Sequence, residues 1–199
     1  MNNKNKGFTL VELIVVIAVF TVLLGILEPS VSSIFGFRAQ RAVNSIGAAL
    51  DKTKTEAMNR LVGEMKLEKR EDGYYISYFL DRGKAGSQAH LVEDQPEKIA
   101  PAKTQILYKD EHNKTYEMNA GDSLILTYDR AAGGFRPIQK ELMTQEAILS
   151  NLAAGKDIDF GSHSSGVYCI EIIVQGGGKT RVLHLNPDAG SYTIDSTVN

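Results

Sequence analysis

The chain has 199 residues, of which 43% are hydrophobic and 23% are charged, and its formal net charge is −2. This composition allows one packed domain with an additional element, excludes wholesale disorder, and argues against a general polyanion-binding protein. The single cysteine, Cys169, excludes an intrachain disulfide, so that an exported domain would be held together by packing alone. Within an apolar strand, Cys169 is expected to be a small buried side chain.

The N-terminal segment is a short basic leader followed by a long apolar run. Residues 1–7, MNNKNKG, contain two lysines and no acidic residue, and residues 8–27 contain one charged residue, Glu12. A helix of twenty residues is about 30 Å long, which is the thickness of a bilayer core. An ordinary secretory signal has a shorter apolar stretch with a small-residue cleavage site after it, and this segment lacks that pattern. Lys4 and Lys6 predict a cytoplasmic N-terminus with the remainder outside.

Glu12 is costly in such a helix, because a carboxylate in lipid is unfavourable by roughly 2.5–3.5 kcal/mol on insertion scales. A plain membrane anchor does not explain it. If the chain is cut between Gly7 and Phe8, the new α-amino group of Phe8 is a cation at the tip of the helix. Within one chain this amine and Glu12 are one turn apart and could pair weakly. Between neighbouring chains, Glu12 of one subunit could neutralise the Phe8 amine of the next and fix their axial register.

The residues G-F-T-L-V-E-L at Gly7–Leu13 resemble the prepilin processing signal shared by type IV pilins and the pseudopilins of type II secretion. The resemblance implies that a prepilin peptidase cuts after Gly7 and methylates Phe8, and that Glu12 is the glutamate used in assembly. Pro29 falls where many pilins carry a helix-kinking proline, and proline removes a backbone hydrogen bond.

The same resemblance implies the partners and the location of the chain. The implied partners are the prepilin peptidase, other pilin or pseudopilin subunits, the inner or cell-membrane assembly machinery and, before assembly, the lipid bilayer. The expected location is a single-pass cell membrane protein with its N-terminus cytoplasmic and its globular domain outside. After assembly, the subunit would belong to an extracellular or periplasmic filament.

One helical face continues after Pro29. Apolar and small residues recur every three or four positions, while most charged residues fall off this face. The members of the face are Val31, Phe35, Ala39, Ala42, Ile46, Leu50, Thr53, Ala57 and Leu61. The apolar run and this stretch therefore predict one bent helix of about 50 residues, with its first half in membrane or filament and its second half on a sheet.

Beyond residue 62 the pattern predicts strands, turns and one short helix. Residues 81–104 contain glycines, prolines and mixed charges, and predict an exposed loop. Lys140–Ala154 predicts a helix that stops at Gly155. Its inward residues are expected to be Leu142, Ile148, Leu149 and Leu152. The predicted strands are Glu64–Lys69, Tyr74–Leu80, Ile106–Lys109, Thr115–Met118, Ser123–Tyr128, Asp157–Phe160, Val167–Gln175, Thr180–Asn186 and Ser191–Asp195.

The predicted fold class is α+β, a pilin-like long N-terminal helix packed on an antiparallel β-sheet domain. Residues 1–7 form the leader cleaved by prepilin peptidase, and residues 8–28 form the transmembrane or assembly helix. Residues 29–61 form the amphipathic half of the same helix, and residues 62–199 form the globular β-rich domain.

The C-terminal third carries a finer resemblance. It contains I-D-F at 158–160, the strand C-I-E-I-I-V at 169–174, a glycine-rich hairpin, R-V-L-H-L-N, and D-A-G-S-Y-T-I at 188–194. These patterns resemble the end of H-type minor pseudopilins and T-type fimbrial minor pilins. The single cysteine excludes the disulfide-closed loop of many major pilins and therefore favours a minor subunit.

Two short motifs suggest chemistry that their context does not support. Gly178–Thr180 resembles part of a phosphate-binding loop, but the position of its required first glycine is Ile173. Ser162 and His163 are adjacent in sequence, where side chains rarely face each other, and no nucleophile-elbow motif is present. The sequence therefore predicts no catalytic residue, no metal site and no cofactor, and it does not predict an enzyme.

The expected function is a structural subunit, a minor pilin or pseudopilin of a type IV pilus or a type II secretion-like filament. The alternative is a minor pilin that binds DNA or a surface, with Lys179, Arg181 and His184 as the nucleic-acid contacts. Cleavage would remove Lys4 and Lys6 and leave a net charge of −4, so that any DNA site must be a local basic patch.

Overall fold

The structure is a computed structural model that describes residues 9–81, 91–156 and 158–197; the side chains at 26–36, 196 and 197 lie outside its described part. It contains a long helix, ten strands and a short second helix, so the α+β class is confirmed. In chain order the elements are α1 (Leu10–Asn59), β1 (Gly63–Arg70), β2 (Gly73–Asp81), β3 (Leu91–Glu93), β4 (Glu97–Pro101), β5 (Gln105–Asp110), β6 (Thr115–Glu117), β7 (Ser123–Thr127), α2 (Gln145–Ala153), β8 (Cys169–Gly176), β9 (Lys179–Asn186) and β10 (Ser191–Thr197).

The long helix α1 forms over 50 residues, as predicted. The expected inward face is confirmed within the described side chains, because its members from residue 39 to residue 57 are at most 5% exposed. They are Ala39, Ala42, Ile46, Leu50, Thr53 and Ala57. Alanine has a small side chain, so this face lets the helix axis approach the strands closely. The hydroxyl of Thr53 donates to the Ala49 carbonyl at 2.7 Å, which satisfies the one polar group on the face.

The strands form two antiparallel sheets rather than a single one. The first has the order β3-β2-β1-β7, with β4 also paired to β2, and the second has the order β10-β9-β8-β5-β6. Helix α1 contacts strands of both sheets, chiefly β1 and β4 in the first and β8 and β9 in the second. The main core therefore contains side chains from the helix and from both sheets, including Leu67, Ile172 and Leu183, each 0% exposed. Cys169 is buried in this core, as predicted.

The glycine-rich turn between β8 and β9 is confirmed as a hairpin. Gly176 pairs with Lys179, which leaves Gly177 and Gly178 as a two-residue loop. Their φ angles are +62° and +71°. A two-residue turn with positive φ at both positions matches the twist of paired strands, and glycine adopts it without steric cost.

The prediction of an exposed loop for residues 81–104 is wrong for the residues that form β3 and β4. The strand β3 pairs with Phe79–Asp81, and β4 pairs with Gly73–Ile76, so that both lie along the same edge of β2. These strands have three and five residues, which is too short for a clear alternation of side chains. Their pairing therefore depends on β2 and has no strong local signal. Pro101 ends β4, a position at a sheet edge where proline is tolerated.

The helix predicted for Lys140–Ala154 is shorter in the structure, because α2 begins only at Gln145. The Thr144 side chain caps it by accepting the N–H of Ala147 at 3.2 Å. The segment before Thr144 instead runs along the first sheet, where Gln139 forms an isolated β-bridge with Ile125 of β7. The predicted stop is confirmed, because Gly155 has φ +66° and the following N–H, that of Lys156, donates to the Asn151 carbonyl at 3.0 Å.

The prediction of the inward side chains of this segment is right only for Ile148. Leu149 and Leu152 are each 41% exposed, and Met143 is buried in place of Leu142. Helix α2 packs on a small second core, formed by Val62, Met143, Ile148 and Phe160. The strand predicted at Asp157–Phe160 is wrong for residues 158–160, which are irregular. Phe160 instead belongs to this second core, and Ile158 packs against it.

Candidate functional site

The N-terminus of α1 is organised by Thr9 and Glu12. The Glu12 Oε2 accepts the backbone N–H and the hydroxyl of Thr9, both at 2.8 Å, and the Thr9 hydroxyl oxygen accepts the Glu12 N–H at 3.3 Å. This is a capping box, in which two side chains satisfy the free N–H groups of a helix start. It also places a carboxylate at the positive end of the helix dipole. Sequence reasoning missed the role of Thr9, although T-x-x-E before an apolar run is the signal for it.

The processing residues Gly7 and Phe8 lie outside the described residues. In the sequence, Phe8 directly precedes Thr9, the residue whose N–H is held by Glu12. A cut after Gly7 would therefore create the new amine one residue before the capping box. The pairing of Glu12 with a Phe8 amine, within one chain or between chains, stays a prediction.

The first half of α1 exposes its apolar side chains. Leu10 is 75% exposed, Phe20 is 59% exposed and Leu24 is 60% exposed, in contrast to the buried positions beyond residue 38. One continuous helix thus has two halves in opposite environments. Among the side chains that the structure describes, no helical stretch is both long enough and apolar enough to cross a membrane.

Helix α1 continues through position 29 without a break. The side chain of Pro29 lies outside the described part of the chain. The predicted kink at Pro29 therefore stays a prediction.

The three residues predicted as nucleic-acid contacts lie on β9 but have different surroundings. Lys179 is exposed at the hairpin. Arg181 is half-buried, and its guanidinium donates to Gln40 of α1 and to the Thr180 carbonyl. The ring of His184 lies 3.5 Å from a Glu171 carboxylate oxygen and 3.3 Å from one of Asp195. The structure thus does not bring the three together as one exposed basic surface.

Comparison with known protein families matches residues 2–27 to the prokaryotic N-terminal methylation motif. No curated protein and no solved structure matches the chain. The motif implies processing by a prepilin peptidase and assembly with other pilin subunits, and it points to a structural subunit rather than an enzyme. Together with the capped apolar helix that begins within it, the motif supports a type IV pilin-like protein that carries a prepilin signal.

Proposed function

We propose that the chain is a minor pilin or pseudopilin subunit of a type IV pilus or type II secretion-like filament, in the group of H-type minor pseudopilins and T-type fimbrial minor pilins. One observation carries the proposal. The methylation motif at residues 2–27 includes the start of a helix whose first half is apolar and exposed and whose second half packs into a β-rich domain. In such a subunit, the exposed half of α1 can pack against the helices of other subunits. The domain formed around the other half does not depend on that packing for its fold.

In the proposed mechanism, the precursor is held in the membrane by residues 8–28. The peptidase removes residues 1–7 and methylates the amine of Phe8. The subunit then leaves the bilayer by docking its exposed apolar side chains against the helices of neighbouring subunits. The capping box with Thr9 supports a role for Glu12 in this step, because it holds the carboxylate at the end of the helix where the amine arises.

The experiment that tests this function replaces Glu12 by Ala and, in parallel, by Gln. Glutamine retains the ability to form a capping box but removes the charge. We expect both variants to be processed normally and to be at least about tenfold depleted from sheared filaments, because each lacks the anion that neutralises the neighbouring amine. Immunoblots of the membrane and filament fractions measure both outcomes.

The pair of variants also separates charge from capping. Normal incorporation of the Gln variant together with loss of the Ala variant would assign the effect to the helix cap. Normal incorporation of both would rule out a role of Glu12 in assembly.

A further inference from the structure

A cleft of about 570 Å³ lies beside the end of α1, where the segments around α2 pack on the domain. Its volume falls in the range of pockets that hold small molecules. It is far from the apolar half of α1, because Leu61, which lines it, lies two residues after the helix ends. The proposed assembly of the subunit through α1 therefore makes no use of this cleft.

One wall of the cleft is apolar, and it includes Leu61 and Leu152, which were both predicted to face inward. Leu61 and Ile158 are partly exposed, and Leu152 on α2 is 41% exposed. Phe160 forms a more buried part of the wall, with 7% of its surface exposed. An aromatic ring and aliphatic chains in one cleft provide a surface for the apolar body of a ligand.

Arg136 is fixed in the cleft by its neighbours. Its guanidinium carbon lies 4.9 Å from the centre of the Phe160 ring, and its Nη2 lies 2.8 Å from the Asp129 Oδ2. The Nε of Arg136 is buried and has no hydrogen-bond partner among the described residues. The other oxygen of Asp129 accepts the N–H groups of Ala131 and Ala132 at 2.9 and 2.8 Å. The carboxylate of Asp129 is thus fully engaged within the protein.

Two further cations line the same cleft. Arg130 and Lys156 are exposed, and no residue in the described ranges forms an ion pair or a hydrogen bond with either side chain. With Arg136 and Asp129, they give the cleft a net charge of +2 in a chain whose net charge is −2. Guanidinium and ammonium groups beside apolar surface favour carboxylates and phosphates over neutral ligands.

We propose that this cleft binds a small anionic molecule whose carboxylate or phosphate is carried on an aromatic or aliphatic body. The anion lies between Arg130 and Lys156, within reach of the fixed guanidinium of Arg136. The body of the ligand packs on Leu152, Ile158 and Phe160. Because the charged groups and the apolar wall both contribute to binding, a simple inorganic anion or an uncharged hydrocarbon binds more weakly than a molecule that has both parts.

The test uses the full chain in micelles of an uncharged detergent and two water-soluble probes, phenyl phosphate and 3-phenylpropionate. Calorimetric titration is expected to show saturable binding of at least one probe, with a dissociation constant below ~1 mM. The uncharged analogue 3-phenylpropan-1-ol should bind at least about tenfold more weakly. Because the chain has no tryptophan, Leu152→Trp adds a single fluorescent reporter to the cleft wall and gives a second measurement. The probe that binds more tightly identifies the preferred anion.

A pair of matched double variants provides the control. Arg130→Gln with Lys156→Gln removes the unpaired cations and should weaken binding by at least about tenfold. Lys103→Gln with Lys114→Gln removes two exposed lysines that do not line this cleft, and should leave the affinity unchanged. Both pairs are exposed side chains, and circular dichroism checks that each variant is folded.

Three results would overturn the proposal. The first is the absence of saturable binding for both acids. The second is equal affinity for the alcohol, which would assign the cleft to an apolar partner surface. The third is an equal loss of affinity in both double variants, which would show a general attraction of anions to the protein.

Discussion

Glu64 is a carboxylic acid in the interior of the domain, with none of its surface exposed. Its Oε2 accepts the N–H of Met143 at 2.8 Å, while its Oε1 is buried without a hydrogen bond among the described residues. Burial raises the pKa of Glu64 from 4.5 to about 7, although the hydrogen bond from Met143 acts in the opposite direction. This residue thus holds the segment before α2 against β1 and makes the attachment dependent on pH.

The raised pKa of Glu64 predicts a stability that falls as pH rises. Below pH 4.5 the side chain is protonated in both states, and between pH 4.5 and about 7 only the folded state keeps the proton. We therefore expect Glu64→Gln, which cannot ionise, to be up to ~3 kcal/mol more stable than the original chain at pH 8 and similar to it at pH 4. Urea unfolding at a series of pH values measures the difference. A variant that shows the same pH dependence as the original chain would contradict the assignment to Glu64.

A second prediction for a single residue concerns Gly7, the residue before the expected cut. Valine at position 7 places a branched side chain directly before the expected cut, where a glycine-specific peptidase should not accept it. We expect Gly7→Val to abolish cleavage and to leave the full-length precursor in the membrane fraction. Electrophoretic mobility and N-terminal sequencing measure the outcome, and a product that still begins at Phe8 would refute the assigned cut site.

Among the elements, α1 and β1 meet at a junction that leaves no room for a side chain at Gly63. A Cβ atom on Gly63 would lie 2.5 Å from the backbone nitrogen of Ala57 and 2.8 Å from its Cα. These are backbone atoms of the helix and cannot rotate away. The absence of a side chain at Gly63 therefore allows the first strand to begin directly against the last turns of α1.

The close approach at Gly63 predicts the effect of a single methyl group. We expect Gly63→Ala to destabilise the domain by about 1–3 kcal/mol, the range for overpacking in a filled core. The control is Gly161→Ala, where the nearest atom is a flexible Asp159 carboxylate oxygen at 3.0 Å, and we expect a change within about 0.5 kcal/mol. Denaturant unfolding compares the two variants. Equal stability of both would show that the junction can move apart at little cost.

At the scale of the whole molecule, the two halves of α1 lie in different environments. Its described positions from residue 10 to residue 24 have exposed apolar side chains, and its positions from 39 to 57 supply part of the main core. Val43, Ile46 and Leu50 are each 0% exposed. The second half of the helix is thus an integral part of the domain, while no described contact joins the first half to it.

This division predicts which fragments fold. A chain of residues 37–199 keeps the buried half of α1 and should unfold cooperatively, with a stability within about 1 kcal/mol of the domain in the full chain. A chain of residues 62–199 loses Val43, Ile46 and Leu50 and should not fold, because each such side chain contributes roughly 1.5–3 kcal/mol when buried. Circular dichroism and denaturant titration measure both fragments. Cooperative unfolding of residues 62–199 would mean that the sheets are stable without the helix.

Several elements could be predicted because their signals are local. The face of α1 follows from a spacing of three or four residues, and the turn at Gly177 and Gly178 follows from the φ angles that only glycine adopts easily. Glu12 could be singled out because an acid in an apolar run is costly. The strands β3 and β4 lack such a signal, since each is short and is defined by its pairing with β2.

By itself, the sequence determined the prepilin signal, the apolar and amphipathic halves of α1, the α+β class and most strands, because periodicity and turn chemistry act over a few neighbouring residues. Only the tertiary structure decided the division into two sheets, the late start of α2 and the cleft with Arg136. These features depend on contacts between distant residues, such as the hydrogen bond from Met143 to Glu64 across 79 positions. Local propensity contains no information on such a pairing, which is why Leu149 and Leu152 were expected to be buried and are half exposed.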